Sequence, residues 1–273
     1  MGMKLFKKFF LNILTYVLLV VFFFPIFWLV LSSFRPTYDL YAYPPKLFSM
    51  DFTFENYVNS WSSSDFPLYF LNSTIVTISA TALTVIISMM AGFALAKYKF
   101  FGGNAIFWTI LATLMLPLQV IMIPIFIILK DFHMLNSYLG LIIPPAATPT
   151  GIFIVRQYLV SLPNELIEFA RIDGASEWKI FWSIILPLST PVIATLTIFS
   201  VMWRWNDFLW PLIVISNEKL YTVQLALGMF SGQHTINWSG LLPMTVLSMI
   251  PIVIVFIEFQ RLFIRGIYAG SVK

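Results

Sequence analysis

The chain has 273 residues, of which 59% are hydrophobic and 10% are charged, and its mean hydropathy is +0.88. A soluble domain of this length cannot bury so much apolar surface in one core, so the composition excludes a soluble globular protein. Cysteine is absent, which excludes disulfides and thiolate metal sites. The net charge of +4 says little alone, because the distribution of Lys and Arg decides membrane topology. We therefore expect an integral membrane protein.

Six apolar runs are long enough to cross a membrane, because a bilayer core of about 30 Å needs roughly 20 helical residues. They cover residues 11–31, 70–95, 105–129, 138–158, 191–215 and 241–263. A cleaved signal peptide is the alternative for the first run, since Lys4, Lys7 and Lys8 precede it. That run is longer than the apolar region of a signal peptide, and no small-x-small cleavage site follows it. The sequence thus predicts six transmembrane helices.

The distribution of cations predicts the orientation of these helices. With the N-terminus inside, the cytoplasmic segments hold eleven Lys and Arg residues, the last of them Lys273, and the outer segments hold four. Positively charged loops resist translocation, so both termini and the segment 159–190 are expected in the cytoplasm. The outer segments 32–69 and 216–240 are rich in polar and aromatic residues and are expected to be loops.

Prolines interrupt three of the runs, and each removes a backbone donor that neighbouring helices must replace. A helix that only anchors a protein in lipid has little reason to carry such breaks, so a packed bundle around a pathway is favoured. The prolines are Pro117 and Pro124 in the third run, Pro144, Pro145 and Pro149 in the fourth, and Pro243 and Pro251 in the sixth.

The segment 159–190 has the pattern of two short amphipathic helices joined by a turn. Ser161 is the expected N-cap of the first helix, with Pro163 in its first turn. Asp173 and Gly174 predict the turn, because glycine takes positive φ without strain, and Ser176 is the expected cap of the second helix. The apolar positions are Leu162, Leu166, Phe169 and Ala170, then Trp178, Phe181, Trp182 and Ile185. These faces need to bury against either this chain's own helices or a partner protein.

The same segment resembles the EAA loop, by which the permease subunits of bacterial ABC importers engage their ATPase. The family motif has Glu-Ala-Ala, a Gly four residues after the second Ala, and then Ile-x-Leu-Pro. This chain departs from it with Phe169 in place of the first Ala, and its matching residues are Glu168, Ala170, Gly174, Ile184, Leu186 and Pro187. The resemblance implies that these residues, together with Phe169, Asp173, Trp178 and Phe181, couple the chain to an ATPase.

Patches along nearly the whole chain narrow the resemblance to the carbohydrate-type ABC importer permeases, which look like the second membrane subunit of the maltose importer. They lie at residues 70–73, 91–98, 116–124, 205–211 and 266–273. The resemblance implies an all-α membrane protein with six transmembrane helices and type I ABC importer permease architecture. It implies one permease domain over residues 1–273, with the coupling loop at 159–190 inside it. The implied function is ATP-driven import of an oligosaccharide or related polyol, by alternating access, across a bacterial or archaeal cell membrane.

The resemblance also implies the partners of the chain: a second permease, an ATPase dimer, an extracytoplasmic solute-binding protein, the sugar and the lipid bilayer, with no nucleic acid. ATP and Mg²⁺ are expected on the ATPase subunits, since this chain has no G-x-x-x-x-G-K-[ST] phosphate cradle and no zinc motif. It has no nucleophile elbow or paired carboxylates either, so no enzyme is expected. His133 and His234 stand without ligand-spaced neighbours.

Charged and aromatic residues inside the fifth run are candidates for the transport pathway. Arg204 and Asp207 are three residues apart on the expected helix, near mid-span where unpaired charge is costly, so they are expected to pair and to face the bundle interior. Asn206 and Asp207 are candidates for lining the cavity or its gate, with Trp205 offering an apolar face to a sugar ring. Asn72, at the start of the second run, is a further candidate. The alternative is an internal ion pair that joins helices, with the tryptophans as interface anchors.

Two other functions compete with the permease interpretation. An ion-coupled secondary transporter or channel accounts for the kinked helices and for Arg204, but it leaves the cytoplasmic motif without a role. A membrane-bound assembly scaffold would have partners without solute flux. Transport by the isolated chain along an ion gradient would identify the first of these alternatives.

Overall fold

The computed structural model describes residues 2–44, 46, 49–231 and 235–271 of the chain. Among these residues the fold is helical and contains no β-strand, although Ser231 and Ile236 form an isolated antiparallel bridge. His234 and Lys273 lie outside the described residues.

The helices in the first half of the chain are α1 (Gly2–Ser33), α2 (Thr37–Leu40), α3 (Glu55–Ser63), α4 (Phe66–Lys97), α5 (Gly103–Thr113), α6 (Leu118–Asp131) and α7 (Tyr138–Ile142). Those in the second half are α8 (Pro149–Val160), α9 (Glu165–Ile172), α10 (Glu177–Ile180), α11 (Leu186–Leu188), α12 (Thr190–Trp205), α13 (Leu209–Val214), α14 (Val223–Phe230) and α15 (Trp238–Ser271). Short 3₁₀ turns lie at Pro144–Ala146 and Glu218–Leu220, and a π-helical turn lies at Phe181–Ile185.

Three helices within the described residues are long and apolar enough to cross a membrane without interruption. They are Lys7–Ser33, Phe66–Lys97 and Trp238–Arg261, which coincide with the first, second and sixth predicted runs. Three pairs of helices are bent at a short break: Gly103–Thr113 with Leu118–Asp131, Tyr138–Ala146 with Pro149–Val160, and Glu177–Leu188 with Thr190–Trp205. The first two pairs fall on the third and fourth runs, whereas the last shares only residues 191–205 with the fifth run. The described part of the chain therefore reaches the predicted six spans if each bent pair forms one span.

The prolines differ in their effect on these runs. Pro117 is the N-cap of α6, and α5 and α6 are bent by 106° on either side of that break. Pro149 opens α8, whose N-cap Thr148 accepts a hydrogen bond from the Gly151 backbone N–H, and the fourth run bends there by 41°. Pro243 and Pro251, in contrast, lie inside the continuous helix α15. Of these four prolines, the two at the start of a helix accompany a break in the run, and the two inside a helix do not.

The fifth run does not follow the prediction along its whole length. Helix α12 begins at Thr190, close to the expected start, but it ends at Trp205 instead of continuing to residue 215. Asn206 is its C-cap, and the short helix α13 follows after the break. The prediction of one helix over residues 191–215 is therefore wrong in its second part.

By its internal contacts the chain divides into two compact units, and the first contains residues 1–67 and 226–250. In this unit α1 exposes large apolar side chains along most of its length, from Phe9 to Phe27. The segment after α1 was expected to be a loop, but it contains α2 and α3. Buried polar side chains order it: the Asn56 amide donates to the Arg35 carbonyl at 2.7 Å, and the hydroxyls of Ser33 and Tyr57 lie 2.6 Å apart. The loop prediction missed this order because no hydrophobic periodicity marks it.

The second unit contains residues 68–225 and 251–273. Helices α4 and α8 of this unit pack closely against each other at Gly92. A Cβ atom added to Gly92 would lie only 2.6 Å from a methyl group of Val155. Two apolar clusters fill the unit. One joins α4, α8 and α12 to the segment 159–190 through Met89, Phe93, Val155, Leu159, Ile167, Ala170, Ile180, Phe181, Ile185, Val192 and Leu196. The other consists of Val76, Ala80, Met122, Leu129, Leu141, Ile142, Trp210, Val214 and Ile215.

Candidate functional site

The first helix of the segment 159–190 is α9, and it starts later than expected. Ser161 does not cap it; this residue is the C-cap of α8, and its hydroxyl donates to the Tyr158 carbonyl at 2.7 Å. Helix α9 covers Glu165–Ile172. Ile167 and Ala170 point into the apolar cluster, whereas Leu166 and Phe169 are exposed. Helix α9 is thus fixed to the body of the unit through one face and presents the other outward.

The turn at Gly174 follows the prediction and has the geometry of a Schellman motif. Gly174 has a φ of 77°, the left-handed conformation that a Cβ atom disfavours. The Ala175 N–H donates to the Ala170 carbonyl at 2.9 Å, and the Gly174 N–H donates to the Arg171 carbonyl at 3.0 Å. A Cβ atom on Gly174 would meet nothing within 4 Å. Glycine is therefore required here by the backbone conformation and not by a lack of space.

The second helix of the segment combines an α-helical and a π-helical part. Ser176 caps α10 as predicted, since its hydroxyl accepts a hydrogen bond from the Lys179 N–H at 3.3 Å. The π-helical turn Phe181–Ile185 follows, in which the Leu186 N–H donates to the Phe181 carbonyl five residues earlier. Such a turn holds one residue more than an α-helical turn and is frequent at functional sites. Helix α11 then leads to α12, and the stretch Glu177–Leu188 is bent by 76° relative to α12.

Five large apolar side chains of α9, α10 and the π-helical turn are exposed, and we name them together the docking face. Phe169 is 65% exposed, Ile172 80% and Trp178 62%, and Leu166 and Trp182 are also exposed. Large apolar side chains held outside the core by a rigid backbone are typical of a protein interface. Of the predicted coupling residues, Glu168, Phe169, Asp173, Gly174, Trp178 and Pro187 are exposed, Ile184 and Leu186 are half-buried, and Ala170 and Phe181 are buried.

A polar clamp made by Tyr98, Arg171 and Glu177 holds the two sides of the Gly174 turn together. Arg171 donates from Nε to one Glu177 carboxylate oxygen at 2.6 Å and from Nη2 to the other at 3.1 Å, a bidentate pair that spans the turn. The Tyr98 hydroxyl donates to the same carboxylate. Burial, and next the adjacent carboxylate of Glu177, raise the pKa of Tyr98 to about 12. The phenol therefore stays protonated and remains a donor at physiological pH.

Lys97 makes a second connection between the end of α4 and this segment. Its ammonium donates to the Leu162 carbonyl at 2.6 Å and to the Asn164 side-chain oxygen at 2.8 Å. Neither Lys97 nor Tyr98 is among the predicted coupling residues, because their partners lie 65 to 79 positions away in the chain. The one local signal for a role of Lys97 and Tyr98 is their position directly after the second apolar run, where the chain is expected to leave the membrane.

The break between α12 and α13 holds the predicted pathway residues. Arg204 and Asp207 do not form the expected ion pair. The guanidinium donates from Nη2 to the Pro145 carbonyl at 2.5 Å, and the Asp207 carboxylate accepts a hydrogen bond from the Trp210 N–H at 3.1 Å. The physical reason is that α12 ends at Trp205, so Asp207 leaves the helical spacing and caps α13 instead.

The other pathway candidates lie in different surroundings. Asn206 is exposed, and its amide donates to the Met202 carbonyl at 2.8 Å. Trp205 is buried, with its ring 5.2 Å from that of Phe70. Asn72 is fully buried and ties three segments together: it donates to the Lys219 and Tyr221 carbonyls, both at 2.9 Å, and accepts from the Tyr138 hydroxyl at 2.6 Å.

A cleft of about 190 Å³ lies where the fourth and fifth runs are broken. Arg204 and Asp207 are its charged lining residues, and their side chains face it from the end of α12 and the start of α13. No group of His, Cys, Asp or Glu side chains in the described ranges could hold a metal ion. The other lining residues are Leu118, Ile121, Ile125, Pro144, Pro145, Ala147, Thr148, Pro149 and Trp210.

Comparison with known families decides what kind of protein carries these features. Residues 84–268 match the family of binding-protein-dependent transport system inner membrane components. The chain belongs to this family. Its members are membrane permease components of ABC importers and not enzymes. The resemblance of the chain to ABC importer permeases of the carbohydrate type is thereby confirmed.

Two curated relatives of this inner membrane component family cover almost all of the chain. The arabinooligosaccharides transport system permease protein AraQ of Bacillus subtilis (strain 168) is 35% identical over 261 residues, which are 93% of this chain and 92% of the relative. The sn-glycerol-3-phosphate transport system permease protein UgpE of Escherichia coli O1:K1 / APEC is 34% identical over 257 residues, 91% and 92% of the two chains.

A solved structure shows the same fold. In the crystal structure of a bacterial ABC transporter involved in the import of the acidic polysaccharide alginate, one chain aligns with a TM-score of 0.83 and 23% sequence identity. The alignment covers 94% of this chain and 96% of the other. The all-helical type I ABC permease fold is thus confirmed.

Proposed function

We propose that this chain is one of two permease subunits of an ATP-driven ABC importer for an oligosaccharide or a related polyol. It works as a single transmembrane domain over residues 1–273, with six spans and both termini in the cytoplasm of a bacterial or archaeal cell. Its partners are a second permease, an ATPase dimer and an extracytoplasmic solute-binding protein. ATP and Mg²⁺ bind to the ATPase subunits, and this chain binds no cofactor of its own. The relatives that carry sugar or glycerol-phosphate names support the substrate class.

The observation that carries the proposal is the docking face on two short helices that are fixed to the apolar cluster of the second unit. An ATPase that gripped Phe169, Ile172 and Trp178 would pull on α9 and α10. Because Ile167 and Ile180 are buried against α4 and α8, the movement would pass to the membrane helices as a rigid-body displacement. The segment 159–190 is the coupling loop in this mechanism, and residues Glu168 to Pro187 are its contact and hinge positions.

Alternating access needs a region in the membrane that the movement can open and close. The break between α12 and α13 is our candidate for it, with Asn206 and Asp207 lining the pathway or its gate. The buried side chains of Trp205 and Asn72 would hold the surrounding helices in register. Discontinuous helices at a substrate site are a recurrent arrangement in transporters.

The transport function is tested by purifying the chain together with the products of its neighbouring genes and reconstituting the complex in vesicles. We expect an ATPase to co-purify and a sugar, with its binding protein, to stimulate ATP hydrolysis and to enter the vesicles. Arabino-oligosaccharides are the first probes. Transport by the isolated chain along an ion gradient, without an ATPase, would instead identify a secondary transporter.

The coupling role of the loop is tested at Gly174 with two substitutions that add a side chain to the same open space. Gly174→Val forces a β-branched residue into positive φ, at a cost of about 1–3 kcal/mol, whereas Gly174→Asn tolerates that conformation. We expect the Val variant to lose the ATPase or to hydrolyse ATP without uptake, and the Asn variant to stay coupled. Full coupling in the Val variant would contradict the hinge role.

A further inference from the structure

We propose that the cleft between the breaks of the fourth and fifth runs is a substrate subsite of this subunit, and that it binds one neutral, hydroxyl-rich ring or short polyol. The inference rests on the proposed importer function and makes it more specific. It places a binding site in this chain, and it assigns the recognition to Arg204 and Asp207 acting as an unpaired cation and carboxylate.

The position of the cleft follows from three helix interruptions. Pro145 and Thr148 lie between α7 and α8, and Arg204 and Asp207 lie at the junction of α12 and α13. Ile121 contributes from α6, which follows the break at Pro117. Where helices are interrupted, backbone and side-chain polar groups lose their internal partners and can serve a ligand in the membrane.

Arg204 has unused donors in this cleft. A guanidinium has five N–H donors, and the structure engages Nη2 with the Pro145 carbonyl at 2.5 Å. The Nε atom is buried and has no hydrogen-bond partner among the described residues. A buried donor without a partner is costly, roughly 1–3 kcal/mol. An acceptor in the cleft would remove that cost.

Asp207 supplies the matching acceptor. Its carboxylate accepts from the Trp210 backbone N–H at 3.1 Å, and a carboxylate offers about four lone-pair sites. Because Arg204 is not within ion-pairing distance of it, the two groups do not neutralise each other by direct contact. A hydroxyl group both donates and accepts, so vicinal hydroxyls of one ligand can satisfy both side chains. An anionic ligand would gain at Arg204 but would be repelled by Asp207.

The size and the walls of the cleft fit a single ring. Its volume of about 190 Å³ corresponds to about six water molecules at roughly 30 Å³ each. It is smaller than the roughly 300–1,000 Å³ of sites for drug-sized ligands. Pro144, Ile121 and Trp210 give it apolar walls, against which the C–H face of a sugar ring can pack. A longer oligosaccharide would place only one of its units here.

The charge of Asp207 can be removed without removing its structural role. Asp207→Asn keeps a side-chain oxygen that caps α13, but it replaces the charged acceptor. In the reconstituted complex we expect the KM for uptake of an arabino-oligosaccharide to rise roughly 10- to 100-fold, the usual effect of losing a hydrogen bond to a charged group. Glu218→Gln, which neutralises an exposed carboxylate outside the cleft, is the matched control and should leave KM unchanged.

A second pair of variants tests the volume of the cleft independently of charge. Ala147→Phe fills the cleft, whereas Ile143→Phe adds the same ring at a nearby exposed position that does not line it. We expect uptake to fall at least tenfold in Ala147→Phe and to stay within twofold of the wild type in Ile143→Phe. Co-purification of all subunits is measured for each variant, so that loss of assembly is recognised.

The outcomes separate this inference from the importer function. Sugar import by the wild type with unchanged KM in both Asp207→Asn and Ala147→Phe would overturn the subsite and leave the importer function intact. Loss of assembly alone would show that the cleft receives a partner subunit's side chain, which also overturns it. Import of sn-glycerol-3-phosphate but not of arabino-oligosaccharides would contradict the proposal that the cleft binds a neutral ligand. A wild-type complex that imports neither probe and lacks an ATPase would overturn both proposals.

Discussion

The segment 32–65 and the coupling loop 159–190 are both polar stretches between apolar runs, and both expose aromatic side chains, but their interiors differ. The first is held by buried polar groups: Asp39 accepts hydrogen bonds from Lys46 and Ser49, each at 2.5 Å. The second is held by buried apolar groups such as Ile167 and Ile180. Exposed aromatic residues alone therefore do not distinguish a coupling element. The coupling role that we propose for the segment 159–190 rests instead on its dry, close-packed attachment to α4, α8 and α12, because a close-packed interior transmits strain.

The largest effect is expected from breaking the dry attachment of the coupling loop. Ile167→Asp places an unpaired carboxylate in the apolar cluster and should destabilise the protein by about 4 kcal/mol or more. The thermal midpoint of the purified complex measures this loss. Ile167→Val, which removes one methylene group, should cost only about 1 kcal/mol. Equal stability of the two variants would show that the attachment is not a packed core.

The next effect concerns the exposed surfaces of the two regions. Ile172→Asp on the docking face should leave the stability of the chain unchanged within about 0.5 kcal/mol but should prevent the ATPase from co-purifying. Val58→Asp, at an exposed position in the segment 32–65, is the matched control and should retain the ATPase. Retention of the ATPase by the Ile172→Asp complex would argue against the docking face.

A smaller effect is expected from the polar clamp at the hinge. Tyr98→Phe removes the hydrogen bond to Glu177, which keeps its bidentate pair with Arg171, so the loss should be about 1 kcal/mol. We expect a moderate fall in the amount of sugar imported per ATP hydrolysed. Tyr38→Phe, which removes an exposed hydrogen bond to Asp51 in the other region, should leave that ratio unchanged. An unchanged ratio in Tyr98→Phe would remove the clamp from the coupling mechanism.

The smallest effect is a pH dependence confined to the segment 32–65. Hydrogen bonds from Lys46 and Ser49 hold the pKa of Asp39 below its ordinary value. A carboxyl group whose pKa is lowered by folding stabilises the folded state above its ordinary pKa of about 3.9. That contribution is lost as the pH falls through the lower, folded-state pKa. Limited proteolysis of this segment at decreasing pH should show the loss, and Lys46→Met should abolish most of the pH dependence. Cleavage that is independent of pH would contradict the role of Asp39.

The sequence predicted those features that depend on local chemistry. The apolar runs follow from the thickness of the bilayer, the left-handed turn at Gly174 from the need for glycine at positive φ, and the cap at Ser176 from its hydroxyl. The type I permease fold and the family followed from the EAA-like pattern. In each case the determining residues lie within a few positions of one another.

Non-local contacts could not be predicted in the same way. The end of α12 at Trp205 directs Arg204 to a carbonyl 59 residues away and not to Asp207, and no periodicity marks such an end. The partners of Tyr98 and Lys97 are equally distant in the chain. The cap of α9 was mispredicted because Ser161 is a plausible cap by residue type, although it is the C-cap of α8. The cleft depends on all of these positions together.

The π-helical turn Phe181–Ile185 has a consequence for how the docking face can change during evolution. It carries one surplus residue between the outward-facing Trp178 and α12. Deleting a single codon there would restore regular winding and rotate everything upstream by about 100° around the helix axis. Insertions and deletions in this turn would thus turn the docking face in a new direction without any change in the sequence of α12.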